Sequence, residues 1–188
     1  MSLRVIAGTA RGHKLKGVSG KGTRPITDRV KENLFNIIGA DAEDSTWWDL
    51  FGGTGAVGIE ALSRDATFVR YSEMGREAIN VIRENLAHCK FGDDQAEIKR
   101  GDAFAFLESK PDRAFDYIYI APPQYKEMWL RALKLVDENP DWLSGESWVV
   151  VQIHPREFRD HEETALKNLV KFDQRKYGST LLVFYERV

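Results

Sequence analysis

The chain of 188 residues has a single cysteine, Cys89, which excludes any disulfide within the chain and is typical of a reducing compartment. It has no apolar run of about 18 residues, the length that a membrane-spanning helix requires, and no signal-peptide pattern. His13, His88 and His161 share no metal-ligand spacing with the cysteine, so no metal site is expected. These absences predict a cytoplasmic protein without a membrane partner.

Motifs of two common enzyme classes are also missing. No G-x-S-x-G nucleophile elbow occurs, so a hydrolase of that type is excluded. The segment 17–23 (GVSGKGT) superficially resembles a phosphate loop. That loop requires four residues between its glycines and a hydroxyl directly after its lysine, and neither condition is met. The sequence therefore does not predict a nucleoside triphosphatase.

Acidic charge is almost absent from one end of the chain. Residues 1–31 hold eight basic residues and one acid, a net charge of +7, whereas the rest holds 19 basic and 28 acidic residues, a net charge of −9. A cationic arm on an acidic body is typical of a protein that binds a polyanion, and we interpret the arm as a nucleic-acid contact. The polar stretch 41–45 predicts a boundary between an extension, residues 1–40, and a main domain, residues 41–188.

One glycine-rich turn carries the clearest functional pattern. Residues 49–58 read DLFGGTGAVG and contain the G-x-G-x-x-G of Gly53, Gly55 and Gly58. A strand-like run precedes the turn, an apolar helical pattern follows it, and Glu73 ends the next strand-like run. This order is typical of a nucleotide-binding βαβ unit, in which the acid accepts the ribose hydroxyl protons. The turn alone leaves open whether the ligand is NAD(P), FAD or S-adenosylmethionine.

Beyond this unit the predicted strands and helices continue to alternate. A first helix is predicted to begin at a cap, Thr27 or Asp28, and to end near Gly39. Further helices are predicted over residues 55–64, 75–90, 103–109 and 126–138, and strands over 46–50, 67–73, 95–100, 115–120 and 147–153. The helix of the extension follows from apolar residues at i, i+4, i+7 and i+8, from Val30 to Ile38. Two β-runs around Tyr177-Gly178-Ser179 predict a terminal antiparallel hairpin, and Arg4 to Lys16 predicts another at the start. We expect an α/β fold, Rossmann-like, with a mostly parallel seven-stranded sheet.

A diproline loop follows the predicted strand at residues 115–120. Ala121, Pro122, Pro123, Gln124 and Tyr125 come directly after it. Two prolines restrict φ and remove two N–H donors, so the loop is stiff and its carbonyls stay available. Carbonyls beside an aromatic ring suit a flat amine, which favours methylation of an exocyclic amino group over hydride transfer.

Four blocks resemble the bacterial 16S ribosomal RNA (guanine-N2) methyltransferases of the RsmD type. They are RVIAG at residues 4–8 with RGHKL at 11–15, TRPITDRVKENLFN at 23–36, DLFGGTGAVGIEAL at 49–62, and the diproline loop. With the intervening pattern, the resemblance covers nearly the whole chain. It implies a class I methyltransferase fold, S-adenosylmethionine as methyl donor, and a guanine of 16S rRNA as substrate, presented within the 30S subunit or an assembly intermediate.

The resemblance also implies roles for individual residues. Residues around the turn and at the next two strand ends would bind the cofactor: Asp49, Gly52, Gly53, Thr54 and Gly55 at its methionine end, Glu73 at its ribose, and Asp102 and Ala103 at its adenine. The diproline loop (Ala121, Pro122, Pro123 and Tyr125) would form the catalytic slot for the amine. The basic arm would carry the RNA, with Arg11, Lys14, Arg24 and Arg29 as its contacts.

Two departures leave alternatives open. The family's loop begins with Asp or Asn before the prolines, where this chain has Ala121, and Gln124 separates the second proline from Tyr125. Ala121 has no side-chain acceptor, so one bond to the amine has to come from elsewhere, and either Gln124 or Tyr125 could face the base. The alternatives are a class I methyltransferase for another amine (DNA adenine or a protein side chain), an NAD-dependent oxidoreductase, and a non-catalytic RNA-binding module.

Overall fold

The computed structural model describes residues 3–20, 25–124, 127–159 and 166–188 of the chain. Seven strands occur among these residues: β1 (Thr46–Asp49), β2 (Phe68–Glu73), β3 (Ala96–Arg100), β4 (Phe115–Ile120), β5 (Leu143–Ile153), β6 (Leu169–Tyr177) and β7 (Thr180–Arg187). The α-helices are α1 (Asp28–Ile38), α2 (Ala56–Ser63), α3 (Arg76–His88), α4 (Ala103–Glu108) and α5 (Met128–Glu138). None of the described helices is long and apolar enough to cross a bilayer.

The strands form a mixed seven-stranded sheet in the order β3-β2-β1-β4-β5-β7-β6. The pairs β1–β2, β2–β3 and β4–β5 are parallel, and β7 runs antiparallel to both β5 and β6. This confirms the predicted parallel sheet with a terminal antiparallel hairpin. The chain divides into two compact units, residues 1–101 and 102–188. The boundary between residues 40 and 41 stays a prediction.

In the first unit, α1 begins and ends where the sequence predicts. The Thr27 hydroxyl caps its start by accepting a hydrogen bond from the Val30 N–H at 3.3 Å. Gly39, with φ +65°, ends the helix. The predicted apolar stripe faces inward: Val30, Leu34 and Ile38 are buried.

All eight residues of α2 are buried, including Glu60 and Ser63. The N-terminal arm supplies partners for both side chains. The N–H groups of Ile6 and Ala7 donate to the Glu60 carboxylate at 2.9 and 3.0 Å, and the Ala10 N–H donates to Ser63 Oγ at 2.9 Å. The predicted N-terminal β-hairpin is therefore wrong in extent, because these N–H groups bond to α2 instead of to a second strand. A shorter antiparallel pairing forms: Arg4 and Lys14 make an isolated bridge, the Val5 N–H donates to the His13 carbonyl at 3.0 Å, and the Leu15 N–H donates to the Leu3 carbonyl at 2.7 Å.

In the second unit, β4 has the predicted bounds and is mostly buried, as its aromatic and β-branched composition indicates. β5 starts at Leu143, four residues before the predicted start at residue 147, so the strand also includes the polar segment Ser144 to Glu146. Ser144 Oγ donates to Asp116 Oδ1 on β4 at 2.6 Å, which stabilises this early pairing. The terminal hairpin turns at Gly178 with φ +59°, where the sequence predicts it.

Candidate functional site

The glycine turn joins β1 to α2 in the first unit, and its glycines have distinct roles. Gly53 and Gly55 take φ of +56° and +77°, a region in which residues with a Cβ are strained. Gly52 has an ordinary φ, but a Cβ there would lie 2.9 Å from Ile82 Cδ1 on α3. A Cβ at Gly58 would lie 2.4 Å from the Tyr71 hydroxyl, so the last glycine allows α2 to pack closely on β2.

Glu73 lies at the end of β2 and holds the turn. Its Oε2 accepts a hydrogen bond from the Gly53 N–H at 2.9 Å, and its Oε1 accepts from the N–H groups of Met74 and Gly75 at 2.9 and 2.8 Å. A carboxylate has about four lone-pair positions, so one position, on Oε2, stays available. Glu73 is therefore both a structural link of the turn and a potential acceptor for a ligand hydroxyl.

Asp49 ends β1 immediately before the turn and is 3% exposed. Its Oδ1 is buried and has no hydrogen-bond partner. Burial raises the pKa of this carboxyl well above its ordinary value, and the nearby charge of Glu73 adds to that rise, while a backbone hydrogen bond from Phe51 opposes it. A buried acceptor without a donor is costly for the folded protein, which is expected of a group that is satisfied by a bound ligand.

These groups fit one end of a nucleoside-containing cofactor that also carries a cation. Asp49 offers a buried anion for an ammonium group, and Glu73 offers a free acceptor position for a ribose hydroxyl. Gly53 is half-buried, whereas Gly52 and Gly55 are buried, so the backbone at Gly53 is the part of the turn that is open to a close approach. Thr54 is satisfied within the protein: its Oγ1 accepts a hydrogen bond from the Ala56 N–H at 3.4 Å, and its backbone carbonyl accepts one from Asn85 Nδ2 on α3 at 2.9 Å.

In the second unit, the diproline loop follows β4 as predicted. Pro122 is buried, Pro123 is exposed, and Ala121 is half-buried. Tyr125, the aromatic residue predicted for the slot, lies outside the described residues. The loop thus has a stiff backbone at Ala121 to Pro123. The stacking role of Tyr125 stays a prediction.

Two further strand-end residues of the second unit have local structural roles. Asp102 Oδ1 accepts a hydrogen bond from the Phe104 N–H at 3.0 Å and caps α4, while Ala103 is buried in the first turn. Asp102 is itself exposed, so one oxygen remains for a ligand. His154 caps a short 3-10 helix over Pro155–Glu157, as expected for a loop residue ahead of a proline.

The predicted RNA contacts lie in the first unit. Arg11, Lys14 and Arg29 are exposed, and Arg24 lies outside the described residues. Arg11 and Lys14 belong to the segment that is fastened to α2, and Arg29 is on α1. Three of the four predicted contacts are therefore on a rigidly attached surface, with their side chains accessible to a polyanion.

Sequence reasoning missed the buried charges that attach the arm. Lys31, on α1, lies 3.4 Å from Glu60 Oε2, and both side chains are fully buried; Arg64 Nε lies 2.9 Å from Glu60 Oε1. Burial lowers the pKa of Lys31, and the charge of Glu60 partly opposes this. A charged residue within an apolar helical pattern, such as Glu60 in VGIEAL, is the signal that could have indicated a buried pair.

No group of three or more potential metal ligands occurs in the part of the chain that the structure describes. Asp49 and Glu73 therefore form a pair of acids without a third potential metal ligand among those residues.

Comparisons with known proteins agree on one family. The family model described as Conserved hypothetical protein 95 matches residues 3–186. The chain is 35% identical over 187 residues to the Putative rRNA methyltransferase YlbH of Bacillus subtilis, which covers 98% of this chain and 99% of that protein. It is 35% identical over 151 residues to Ribosomal RNA small subunit methyltransferase D of Haemophilus influenzae, covering 80% and 78% of the two chains. The solved structure of the Putative methyltransferase yhhF from Escherichia coli matches with a TM-score of 0.82 and 30% identity, over 100% of this chain and 98% of that one.

Proposed function

The chain belongs to the family described as Conserved hypothetical protein 95, and on this premise we propose that it transfers a methyl group from S-adenosylmethionine to the exocyclic N2 amine of a guanine in 16S rRNA. One structural observation carries the proposal: Asp49 Oδ1 is a buried acceptor without a partner beside a glycine turn. Bound S-adenosylmethionine would supply the methyl group from its sulfonium. Its amino-acid end carries an ammonium group, which would donate a hydrogen bond to Asp49.

The cofactor is divided among the residues of the turn and the strand ends. Asp49, with Gly52, Gly53, Thr54 and Gly55, holds its methionine end. Glu73 accepts a ribose hydroxyl at the open position of Oε2, and Asp102 and Ala103 lie at the adenine. Because Glu73 already accepts three backbone N–H groups, it is fixed before the cofactor arrives and does not have to be ordered on binding.

The amine is positioned by the diproline loop. The backbone carbonyls of Ala121 and Pro122 accept its protons, and Pro123 keeps the loop stiff because its ring restricts φ. Tyr125 stacks on the face of the base. A backbone carbonyl here takes the place of the side chain that Ala121 lacks. A neutral hydrogen bond contributes about 0.5–1.5 kcal/mol net, so the substitution is expected to slow the reaction without abolishing it.

Catalysis is then mainly positioning. The lone pair of a guanine amine is delocalised into the ring, and carbonyl acceptors favour the pyramidal, partly positive form that attacks the methyl carbon. The bond from carbon to nitrogen forms as the bond to sulfur breaks, and the amine proton leaves to water afterwards. No general base is required for this order of events.

The substrate is a polyanion that has to present one unstacked base. The exposed cations Arg11, Lys14 and Arg29, together with Arg24 of the same arm, contact phosphates and orient the RNA, and the guanine leaves its stack to reach the slot. The 30S subunit or an assembly intermediate is the expected partner, because it holds the target in a fixed conformation.

A methyl-transfer assay tests this function. 30S subunits from cells that lack the protein are incubated with tritiated S-adenosylmethionine and the purified protein, and the label in 16S rRNA is counted. We expect about one methyl group per subunit with wild-type protein and none with Asp49→Ala. Salt-dependent binding of the subunits without incorporation would identify an RNA-binding module instead. Label on DNA or protein amines would identify a methyltransferase of another specificity, and tighter binding of NADH than of S-adenosylhomocysteine would identify an oxidoreductase.

A further inference from the structure

One buried amide in the first unit contacts both the glycine turn and the basic arm. Asn85, on α3, is 2% exposed. Its Nδ2 donates to the Thr54 carbonyl at 2.9 Å and to the Lys16 carbonyl at 3.0 Å, and its Oδ1 accepts a hydrogen bond from the Lys16 N–H at 2.8 Å. Both donors of the amide are used, and each is directed at a different functional segment.

The rest of α3 supports these two contacts. On the side of the turn, Ile82 packs against Gly52 and Gly55 so closely that a Cβ at either glycine would lie within 3.3 Å of its side chain. On the side of the arm, Lys16 Nζ lies 2.6 Å from Glu84 Oε2, and the Ser19 N–H donates to Glu77 Oε1 at 3.0 Å. The helix therefore forms a common wall for residues 16–19 and the turn.

The contacts of Lys16 with Glu84 and of Ser19 with Glu77 are exposed, whereas the Asn85 side chain is buried. The side chains of Lys16 and Glu84 are 60% and 55% exposed, and exposed ion pairs contribute little to stability. An unmade hydrogen bond at a buried amide is costly, so the position of the Lys16 backbone and that of the Thr54 carbonyl depend on each other through Asn85.

We propose that Asn85 couples cofactor binding at the glycine turn to RNA binding by the arm, so that each ligand increases the affinity for the other. This rests on the proposed function. Cofactor contacts at Gly53 to Gly55 fix the Thr54 carbonyl, and the fixed carbonyl orients the amide that holds Lys16. The arm at Lys16, two residues after the predicted RNA contact Lys14, is then held in one position and binds RNA with a smaller loss of conformational entropy.

A thermodynamic cycle tests the coupling. The Kd of tritiated S-adenosylhomocysteine is measured by equilibrium dialysis with and without saturating 30S subunits from cells that lack the protein, for the wild type and for Asn85→Ala and Asn85→Asp. We expect the subunits to tighten wild-type binding about 5- to 150-fold, the usual range of coupling between sites. The factor should fall toward one in both variants. Asn85→Asp keeps the acceptor for the Lys16 N–H. It replaces the amide donor with a carboxylate oxygen, which cannot donate to the carbonyls of Thr54 and Lys16.

The control is Glu84→Ala, which removes the exposed contact of the same arm segment and should leave the factor unchanged. A wild-type factor of one overturns the inference, as does an unchanged factor in folded Asn85 variants. Failure of the proposed function is distinct, because the wild type would then either bind no S-adenosylhomocysteine or leave 16S rRNA unmethylated in the transfer assay.

Wild-type hydrogen exchange provides a second measurement if neither Asn85 variant folds. S-adenosylhomocysteine should slow exchange of the Lys16 amide at least severalfold. No change at Lys16, with slower exchange in residues 52–55, contradicts the coupling.

Discussion

The Gly53 N–H donates a hydrogen bond of 2.9 Å to the Glu73 carboxylate, which links the glycine turn to the end of β2. Glu73, which the sequence predicts to bind the cofactor ribose, therefore also holds the glycine turn in place. Its second oxygen bonds to the two N–H groups that follow β2. Substitutions at Glu73 are consequently expected to affect both cofactor affinity and the stability of the turn, and the two effects can be separated.

A comparison of Glu73→Gln with Glu73→Ala separates the effect on cofactor affinity from the effect on stability. Glutamine keeps one acceptor for Met74 and Gly75 but directs an NH₂ group at Gly53 and the ribose. Hydrogen bonds to charged groups contribute about 1.5–3 kcal/mol, so Glu73→Gln should weaken S-adenosylhomocysteine binding roughly 10- to 100-fold. Glu73→Ala should weaken it as much and also lower Tm. Calorimetry and thermal unfolding measure both effects, with Glu32→Ala, an exposed acid of α1, as the control. Unchanged affinity in Glu73→Ala would show that the ribose is bound elsewhere.

Cofactor affinity should depend on pH through Asp49. Because burial raises the pKa of this carboxyl, a fraction of the free protein has a neutral Asp49, and an incoming ammonium favours the ionised form. Binding should therefore release a proton and tighten as pH rises, until pH exceeds the raised pKa. Calorimetry in buffers of different ionisation enthalpy detects the released proton. Asp49→Asn should bind more weakly and lose this pH dependence; a pH dependence that persists in the variant would assign it to another group.

Asp49 should also reduce the stability of the protein without ligand. A folded-state pKa above the unfolded value means that the folded protein binds more protons, so the contribution of this carboxyl to the free energy of unfolding falls as pH rises from the ordinary carboxyl pKa to the raised one. The stability advantage of Asp49→Asn over wild type should therefore grow with pH in that window. Urea unfolding at several pH values measures it, and a constant difference would contradict the assigned shift.

Attachment of the arm can be tested with two glycines of nearly equal φ. Gly8 and Gly12 take φ of +83° and +84°, but a Cβ at Gly8 would lie 1.6 Å from the Ser63 carbonyl oxygen, whereas a Cβ at Gly12 meets nothing within 4 Å. Gly12→Ala should cost about 1–2 kcal/mol of unfolding free energy from the left-handed backbone alone. Gly8→Ala should cost about 1–3 kcal/mol more because of the contact with Ser63. Equal costs in chemical denaturation would mean that the arm is not seated on α2.

RNA binding should respond to the exposed cations of the arm. For each phosphate contact that is lost, the slope of log K against log salt concentration should fall by about 0.9 for a duplex. Arg11→Ala and Lys14→Ala should each show such a decrease with 30S subunits, whereas Lys134→Ala, an exposed cation on α5, should not. Filter binding across a salt series measures the slopes. A similar decrease in all three variants would indicate that net charge, rather than the arm, determines binding.

Local patterns predicted most of the fold. The parallel sheet, the cap at Thr27 and the hairpin turn at Gly178 follow from periodicity, capping residues and glycine, which act over short distances. The resemblance to the RsmD-type methyltransferases is confirmed by the family and by the curated relatives. The bounds of β5 and the extent of the N-terminal hairpin were mispredicted, because pairing partners distant in sequence determine both.

The assignment of the site residues stays a prediction, and the hydrogen bonds among them could not be predicted from the sequence. A glycine motif followed by an acid predicts Gly53 and Glu73, since the spacing reflects one βαβ unit. The sequence could not indicate that Glu73 bonds to the turn, or that Asn85 bridges Thr54 and Lys16, because these contacts join residues 20 to 69 positions apart. Buried polar side chains with long-range partners are determined by packing rather than by local sequence.

Mass mapping of nucleosides in 16S rRNA tests the central proposal most directly. Ribosomal RNA from cells with and without the protein is digested and compared by mass spectrometry, and the modified nucleotide is located by fragment mapping. The proposed function predicts one N2-methylguanosine that is missing without the protein and restored by wild-type protein but not by the Asp49→Ala variant. Identical N2-methylguanosine content in the two rRNA samples would contradict it.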